Sequence, residues 1–184
     1  LPGARNWRPI GAPSGGHVPA VLRPWIETPG SLTARMRRRC GDAFRVQVIG
    51  QHWQRPWRDE RLTVGIREHR VAWVREVILC DGDTPWIYAR SVIPTATLGG
   101  TLRRLRALGH TPLGRVLFGR YPLRRGPIEV ARLGPGDGLR RDAEHHGEAP
   151  AEWARRSVFR AGGRALLVAE VFLPALRRAE EDAA

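Results

Sequence analysis

The chain contains no lysine. All 31 of its basic residues are arginine, and with 18 carboxylates they leave a formal charge of +13 over 184 residues. An excess of that size ordinarily points to nucleic acid or an anionic surface. Here arginine replaces lysine throughout while Gly, Ala and Pro are also abundant, so the charge reads as compositional drift. The clusters Arg35 to Arg39, Arg103 to Arg106 and Arg177-Arg178 read as solvated helix faces. No basic stripe is interleaved with aromatics, so no nucleic-acid partner is expected. Cysteine is nearly absent too: Cys40 and Cys80 are too few for a disulfide scaffold and lie in no metal-ligand spacing, which makes a reducing cytoplasm the expected location. Long apolar runs are missing. The best candidate, Ala165 to Leu176, is interrupted by Glu170 and Pro174 and falls short of the ~20 residues a membrane span needs. There is no signal-peptide pattern at the start and no internal repeat. The one segment that invites a metal, Glu144-His145-His146-Gly147-Glu148, sets its histidines side by side on a polar stretch without the spacing metal sites use, so no metal is expected.

What is present is a chain of single-domain length with enough apolar content, 42%, to bury a core. Its organising stretch is Trp73 to Pro94, which reads as a β-hairpin. Period-2 alternation puts Val71, Trp73, Arg75, Val77 and Leu79 on one face of the first arm, and Val74, Glu76, Ile78 and Cys80 on the other. In the second arm Trp86, Tyr88, Arg90 and Val92 share a face. Asp81-Gly82-Asp83-Thr84 supplies the turn, and pairing Cys80 with Pro85 sets Arg75 across from Arg90. Like charges facing each other on an aromatic surface are unfavourable unless an anion lies near them.

Along the rest of the chain, residues 1–24 read as an irregular Pro/Gly-rich lead-in and 25–176 as the domain. Ser31 is an N-cap for a short helix through Leu32 and Met36 that ends near Gly41. Phe44 to Ile49 alternates as a strand, Gln51 to Glu60 is an undefined connection, and Leu62 to Ile66 is a short strand or loop. Leu98, Leu102, Leu105 and Leu108 fall at helical spacing before Gly109, and Thr111-Pro112 opens a second short helix over Leu113 to Phe118. This pair resembles a helix-turn-helix in outline but is read as two helices packed on a sheet. Ile128 to Leu133 is a strand, 134–150 a flexible insertion, and Trp153 to Arg160 and Arg164 to Leu173 form a second hairpin around Gly162-Gly163. Residues 177–184 are a charged tail. The expected architecture is α+β, a single antiparallel sheet of about six strands with helices packed on one side.

In the last strand Leu166, Val168, Glu170 and Phe172 share one face and Leu167, Ala169, Val171 and Leu173 the other. Glu170 is thus a carboxylate in a strand apolar on both sides. It requires a cation, a donor or a ligand: either a buried ion pair with an arginine such as Arg75, or a functional group.

Several blocks occur together in order: Trp73-Val74-Arg75-Glu76-Val77-Ile78-Leu79-Cys80, Pro85-Trp86, Ala89-Arg90, Val92-Ile93-Pro94, Thr111-Pro112-Leu113-Gly114-Arg115, Arg155-Arg156-Ser157, and Glu170 before Phe172-Leu173-Pro174-Ala175. In this the chain resembles the chorismate pyruvate-lyase family from about Trp25 to Ala175. The resemblance implies a six-stranded antiparallel sheet with the ligand enclosed beneath helical flaps. It also implies conversion of chorismate to 4-hydroxybenzoate and pyruvate, the first step toward ubiquinone, without cofactor or metal. The family's ligand-contacting positions fall on Arg75, Leu113, Glu170 and Leu32. Arg90 joins them through the cross-strand argument.

Glu170 is expected to hydrogen-bond the ring hydroxyl and assist proton movement, Arg90 to stabilise the leaving enolpyruvate, Arg75 to hold a carboxylate, and Leu32 and Leu113 to supply apolar cover and backbone amides. A monomer is expected, with chorismate as partner, no stable membrane insertion, and a basic surface suited to contact with a membrane-bound prenyltransferase acting next. The competing readings are a lyase making another hydroxybenzoate isomer and a non-catalytic aromatic-acid-binding module of the related regulator effector fold. The latter carries a winged helix upstream, which the short irregular lead-in is not expected to supply.

Overall fold

In a computed structural model, which describes residues 5–12, 18–119 and 123–183, the alternating segments pair into one antiparallel sheet. Its strands are β1 (Arg8–Pro9), β2 (Phe44–Gln54), β3 (Ala72–Asp81), β4 (Thr84–Pro94), β5 (Arg124–Arg125), β6 (Glu129–Arg132), β7 (Trp153–Ala161) and β8 (Arg164–Phe172). Their spatial order is β1-β6-β7-β8-β4-β3-β2, with β5 also paired to β7. Two of the eight strands, β1 and β5, are two-residue pairings. The other six are the strands the sequence pattern anticipates. Both long hairpins turn through glycines at positive φ, Gly82 in one and Gly162-Gly163 in the other, as two-residue connections require.

The helices are α1 (Arg23–Ile26), α2 (Leu32–Cys40), α3 (Arg58–Thr63), α4 (Gly114–Leu117), α5 (Gly138–His145) and α6 (Pro174–Glu181), with 3-10 turns at Thr95–Leu98 and Gly100–Ala107. Ser31 caps α2, its Oγ accepting from the Ala34 N–H at 3.4 Å, and Gly41 closes it. One face of the sheet is covered by α1, α2 and α6 through Trp25, Ile26, Leu32, Met36 and Leu176, packed on Val77, Leu79, Ile87 and Phe172. The leucine ladder Leu98, Leu102, Leu105 and Leu108 packs beside them on Ile93, Phe159, Leu166 and Val168. It does so as 3-10 turns rather than as the regular helix its spacing suggested.

Several segments are more ordered than their composition implied. Residues 134–150 contain a packed helix: Asp137 caps α5, accepting from the Leu139 N–H at 2.7 Å, and Leu139 and Ala143 pack on Tyr88, Ala154 and Val171. The described part of the lead-in is also built into the fold, since β1 pairs with β6 and Arg5 bridges Asp59 and Asp137; residues 1–4 and 13–17 of the lead-in lie outside the described residues. The tail is largely the amphipathic helix α6, which reaches Glu181, and Ala184 lies outside the described residues. Gln51 to Gln54 extends β2, and of the expected strand or loop at Leu62 to Ile66, Leu62 and Thr63 end α3 while Val64 to Ile66 are loop. The helices over the pocket lie on one face as expected, and α3 and α5 pack on the opposite face.

Candidate active site

A row of side chains crosses the sheet where the ladders align Val48, Val77, Ala89, Glu170 and Arg155. The adjoining row is Arg75, Ser91, Val168 and Ser157. These two rows form the floor of a cavity whose roof is the start of α2 (Gly30 to Thr33) and the segment Pro112 to Phe118 around α4. Arg75, Glu170, Leu32 and Leu113 all line it. Four of the five residues singled out from the sequence therefore converge, from four separate elements.

The fifth does not. Cys80 pairs with Pro85 as expected, but the register then shifts: Leu79 faces Ile87, leaving Trp86 as an extra residue. Proline has no N–H to give to the ladder, and the bulge falls next to it. The consequence is a one-residue slip that reverses the faces beyond it. Arg75 faces Ser91, Glu76 faces Arg90, and Trp86 packs with Ile87 and Ala89 on the pocket side while Tyr88 packs on the other. Arg90 is thereby directed away from the cavity. It is 2% exposed, donates to Glu60 Oε1 at 2.7 Å and Glu76 Oε1 at 2.9 Å, and lies 4.0 Å over the Trp57 ring. Burial disfavours its charge, but the two carboxylates more than offset this and hold its pKa above the ordinary value. Arg90 is a structural ion-pair partner, and the catalytic role assigned to it from the register is withdrawn.

The pocket contains two arginines that the sequence argument did not assign to the site. Arg155 is 1% exposed; its Nε donates to Glu170 Oε2 at 2.7 Å, and its Nη1 to the carbonyls of Trp25, Ile26 and Thr28. Arg125 donates from Nε to Ser157 Oγ at 2.9 Å and from Nη1 to the carbonyls of Thr28, Pro29 and Gly30. Glu170 does form the ion pair that its apolar strand demanded, partly buried and with Arg155 in place of Arg75. Arg75 instead reaches up to the roof, donating to the Gly109 and Thr111 carbonyls at 2.8 and 3.1 Å. Desolvation lowers its pKa. The signal for Arg155 lay in the period-2 pattern of β7, where an arginine sits on the same face as Trp153 and Phe159. Arg125, on a two-residue strand, offered no periodicity to read.

Each arginine thus ties a roof segment to the floor through backbone carbonyls. The roof segments also touch each other: a Cβ on Gly114 would fall 2.4 Å from Ser31 Oγ. Three guanidiniums face one carboxylate, so the cavity carries a net charge of about +2, in apolar surroundings of Val77, Leu79, Leu117 and Phe159 that raise the strength of every charge interaction. Such a site favours a compact, partly apolar dianion.

Comparison with known proteins agrees with this geometry. The sequence model of the chorismate lyase family matches residues 13–180. A probable chorismate pyruvate-lyase of Halorhodospira halophila is 47% identical over 177 residues, covering 94% of this chain and 92% of that protein. One from Aromatoleum aromaticum is 40% identical over 184 residues, covering 95% of each. Among solved structures, the C-terminal domain of the histidine utilization repressor from Pseudomonas syringae superposes with a TM-score of 0.54 at 12% identity, over 72% of this chain and 92% of that one. A GntR-family regulator from Bacillus cereus gives 0.53 at 14% identity, over 73% and 94%. Those two likenesses are of fold alone, whereas the sequence matches run through the floor and roof of the pocket: the chain belongs to the chorismate lyase family.

Proposed function

We propose that the chain converts chorismate to 4-hydroxybenzoate and pyruvate, the first step of ubiquinone synthesis, in the cavity between the sheet and the two roof segments. The observation that carries this reading is the charge match. Three arginines and one glutamate leave room for two carboxylates, and chorismate has two, one on the ring and one on the enolpyruvyl ether. Arg75 holds the ring carboxylate through the N–H groups its carbonyl partners leave free. Leu32 and Leu113 cover the ring and present the backbone amides of the two roof segments. Glu170, fixed by Arg155, accepts a hydrogen bond from the ring hydroxyl.

The reaction needs no net acid, base or electron. The ether bond between the ring and the enolpyruvyl oxygen breaks, and its pair leaves on that oxygen. The hydrogen on the ring carbon bearing the hydroxyl departs as a proton, and its electron pair completes the aromatic ring. That proton ends on the methylene carbon of the enolpyruvate, which becomes pyruvate. The protein orients the substrate, excludes water and stabilises charge on the leaving oxygen. Two free thiols, Cys40 and Cys80, support a reducing cytoplasmic setting. A monomer acting ahead of a membrane-bound prenyltransferase is part of the same proposal.

The reading is tested by Arg75→Leu and Glu170→Gln. Arg75→Leu is expected to weaken 4-hydroxybenzoate binding, measured by calorimetry, by at least about tenfold, the worth of a charge-assisted contact. Glu170→Gln is expected to lower kcat with chorismate. Wild-type values in both would exclude these roles.

A further inference from the structure

We propose that Arg125 and Arg155 form a second carboxylate subsite, which holds the enolpyruvyl carboxylate and stabilises the departing enolpyruvate. This deepens the reading above and rests on it. The two guanidiniums come from β5 and β7 and converge on one backbone carbonyl, that of Thr28, at 3.3 and 2.9 Å. Two like charges sharing one neutral acceptor are unfavourable unless an anion joins them. The single carboxylate present, Glu170, contacts Arg155 at Nε, and Nη2 of each arginine has no hydrogen-bond partner among the described residues. Burial and the Arg155 charge together lower the Arg125 pKa to about 10, with Glu170 opposing them. The pair therefore has one uncompensated positive charge and two uncommitted donors, both in residues that line the cavity.

The chemistry of the substrate decides which carboxylate goes where. The ether oxygen and the hydroxyl are on adjacent ring carbons, while the ring carboxylate lies across the ring from the hydroxyl. If Glu170 holds the hydroxyl, the enolpyruvyl group must lie beside Glu170, and the ring carboxylate must lie at the far end. Arg155 and Arg125 are beside Glu170. Arg75 is two strands and two residues away, roughly 12 Å at Cα from standard sheet spacings. The assignment thus gives Arg75 the ring carboxylate and the Arg125–Arg155 pair the leaving group. It also passes to this pair the role the sequence had suggested for Arg90.

The test compares two ligands that differ by the enolpyruvyl group. Arg125→Met is expected to lower kcat/KM for chorismate by at least about tenfold more than it weakens 4-hydroxybenzoate binding, because loosening the roof affects both ligands while the lost charged contact is made by the enolpyruvyl group alone. Pyruvate is expected to compete weakly with chorismate on the wild-type protein and to lose that inhibition in the variant. Equal loss for both ligands, or no loss for chorismate, would overturn the subsite. Should Arg125→Met fail to fold, Arg125→Lys keeps a cation without the guanidinium fork, and the same selective loss for chorismate is required of it. A wild-type protein that does not turn over chorismate would remove the underlying reading instead, which separates the two failures.

Discussion

Glu76 and Arg90 face each other across the β3–β4 ladder with Nη1 and Oε1 2.9 Å apart, one residue out of step with the register in which Arg90 would have faced Arg75. That single step moves Arg90 from the pocket to the opposite face, where Glu60 from α3 completes the pair at 2.7 Å. Tyr88 donates to the same Glu76 oxygen at 2.5 Å, and burial together with that carboxylate raises the phenol's pKa.

The first prediction follows from this arrangement. Arg90→Met leaves Glu60, nearly fully buried, without its cation, and stability is expected to fall by about 3–5 kcal/mol in urea unfolding. Adding Glu60→Gln to Arg90→Met should recover part of the loss. The kcat of the folded fraction should stay close to wild type. A variant of wild-type stability with collapsed kcat would restore Arg90 to the active site.

How much of this was legible in the sequence can be traced residue by residue. Alternation placed Val77, Leu79 and Arg75 on one face of β3 and Glu170 with Val168 on one face of β8, and the ladders bear out both sets because each lies within one uninterrupted strand. The Ser31 cap and the Gly41 and Gly82 turns were legible for the same reason: their physics is local. The β3–β4 register was not, because the bulge at Trp86 breaks the alternation of β4 among residues that are apolar on both faces, Trp86, Ile87 and Tyr88, so the break leaves no visible change in the sequence pattern. Nor was the order in 134–150, where polar composition hid the cap at Asp137 and the two apolar contacts of Leu139 and Ala143. Arg125 reaches the site only through tertiary pairing of β5 with β7. Long-range partners of this kind cannot be read from spacing.

The contact between the roof segments gives a second prediction. A methyl group on Gly114 would collide with Ser31 Oγ, which also caps α2. Gly114→Ala is expected to prevent the segments from meeting and to speed dissociation of 4-hydroxybenzoate in stopped-flow measurements. Ser31→Ala removes the offending oxygen at a cost of about 1 kcal/mol in capping, and the double variant should release product more slowly than Gly114→Ala alone. Additive effects of the two changes would show that the contact does not govern closure.

The distribution of charge gives a third. Residues 28–41 contain four arginines and the described part of residues 95–128 six, with no carboxylate in either segment, so ten of the thirteen excess charges lie on the segments that include the roof. Drift in composition accounts for the absence of lysine but not for this placement. A field of that sign over the cavity steers dianions toward it and is screened by salt. The kcat/KM for chorismate is expected to fall several-fold between low and high ionic strength while kcat holds, and Arg103→Gln/Arg104→Gln, two exposed positions, should flatten the dependence. A salt-independent kcat/KM would contradict steering.

The lowered pKa of Arg125 gives a fourth, with opposite signs for binding and folding. The Arg125 pKa falls from the ordinary arginine range to about 10 in the folded protein, chiefly through burial, so between these limits the unfolded chain binds more protons and stability rises with pH. Binding of a second carboxylate needs the charged form and is lost as pH rises through about 10. Pyruvate inhibition measured from neutral pH to 11 should weaken at the top of that range. Inhibition unchanged through pH 11 would show that Arg125 does not hold the anion.

The most direct measurement is product analysis. Purified protein incubated with chorismate, with nothing added beyond buffer, should yield 4-hydroxybenzoate and pyruvate in equal amounts. Formation of 3-hydroxybenzoate or prephenate, or full recovery of chorismate, would contradict the account.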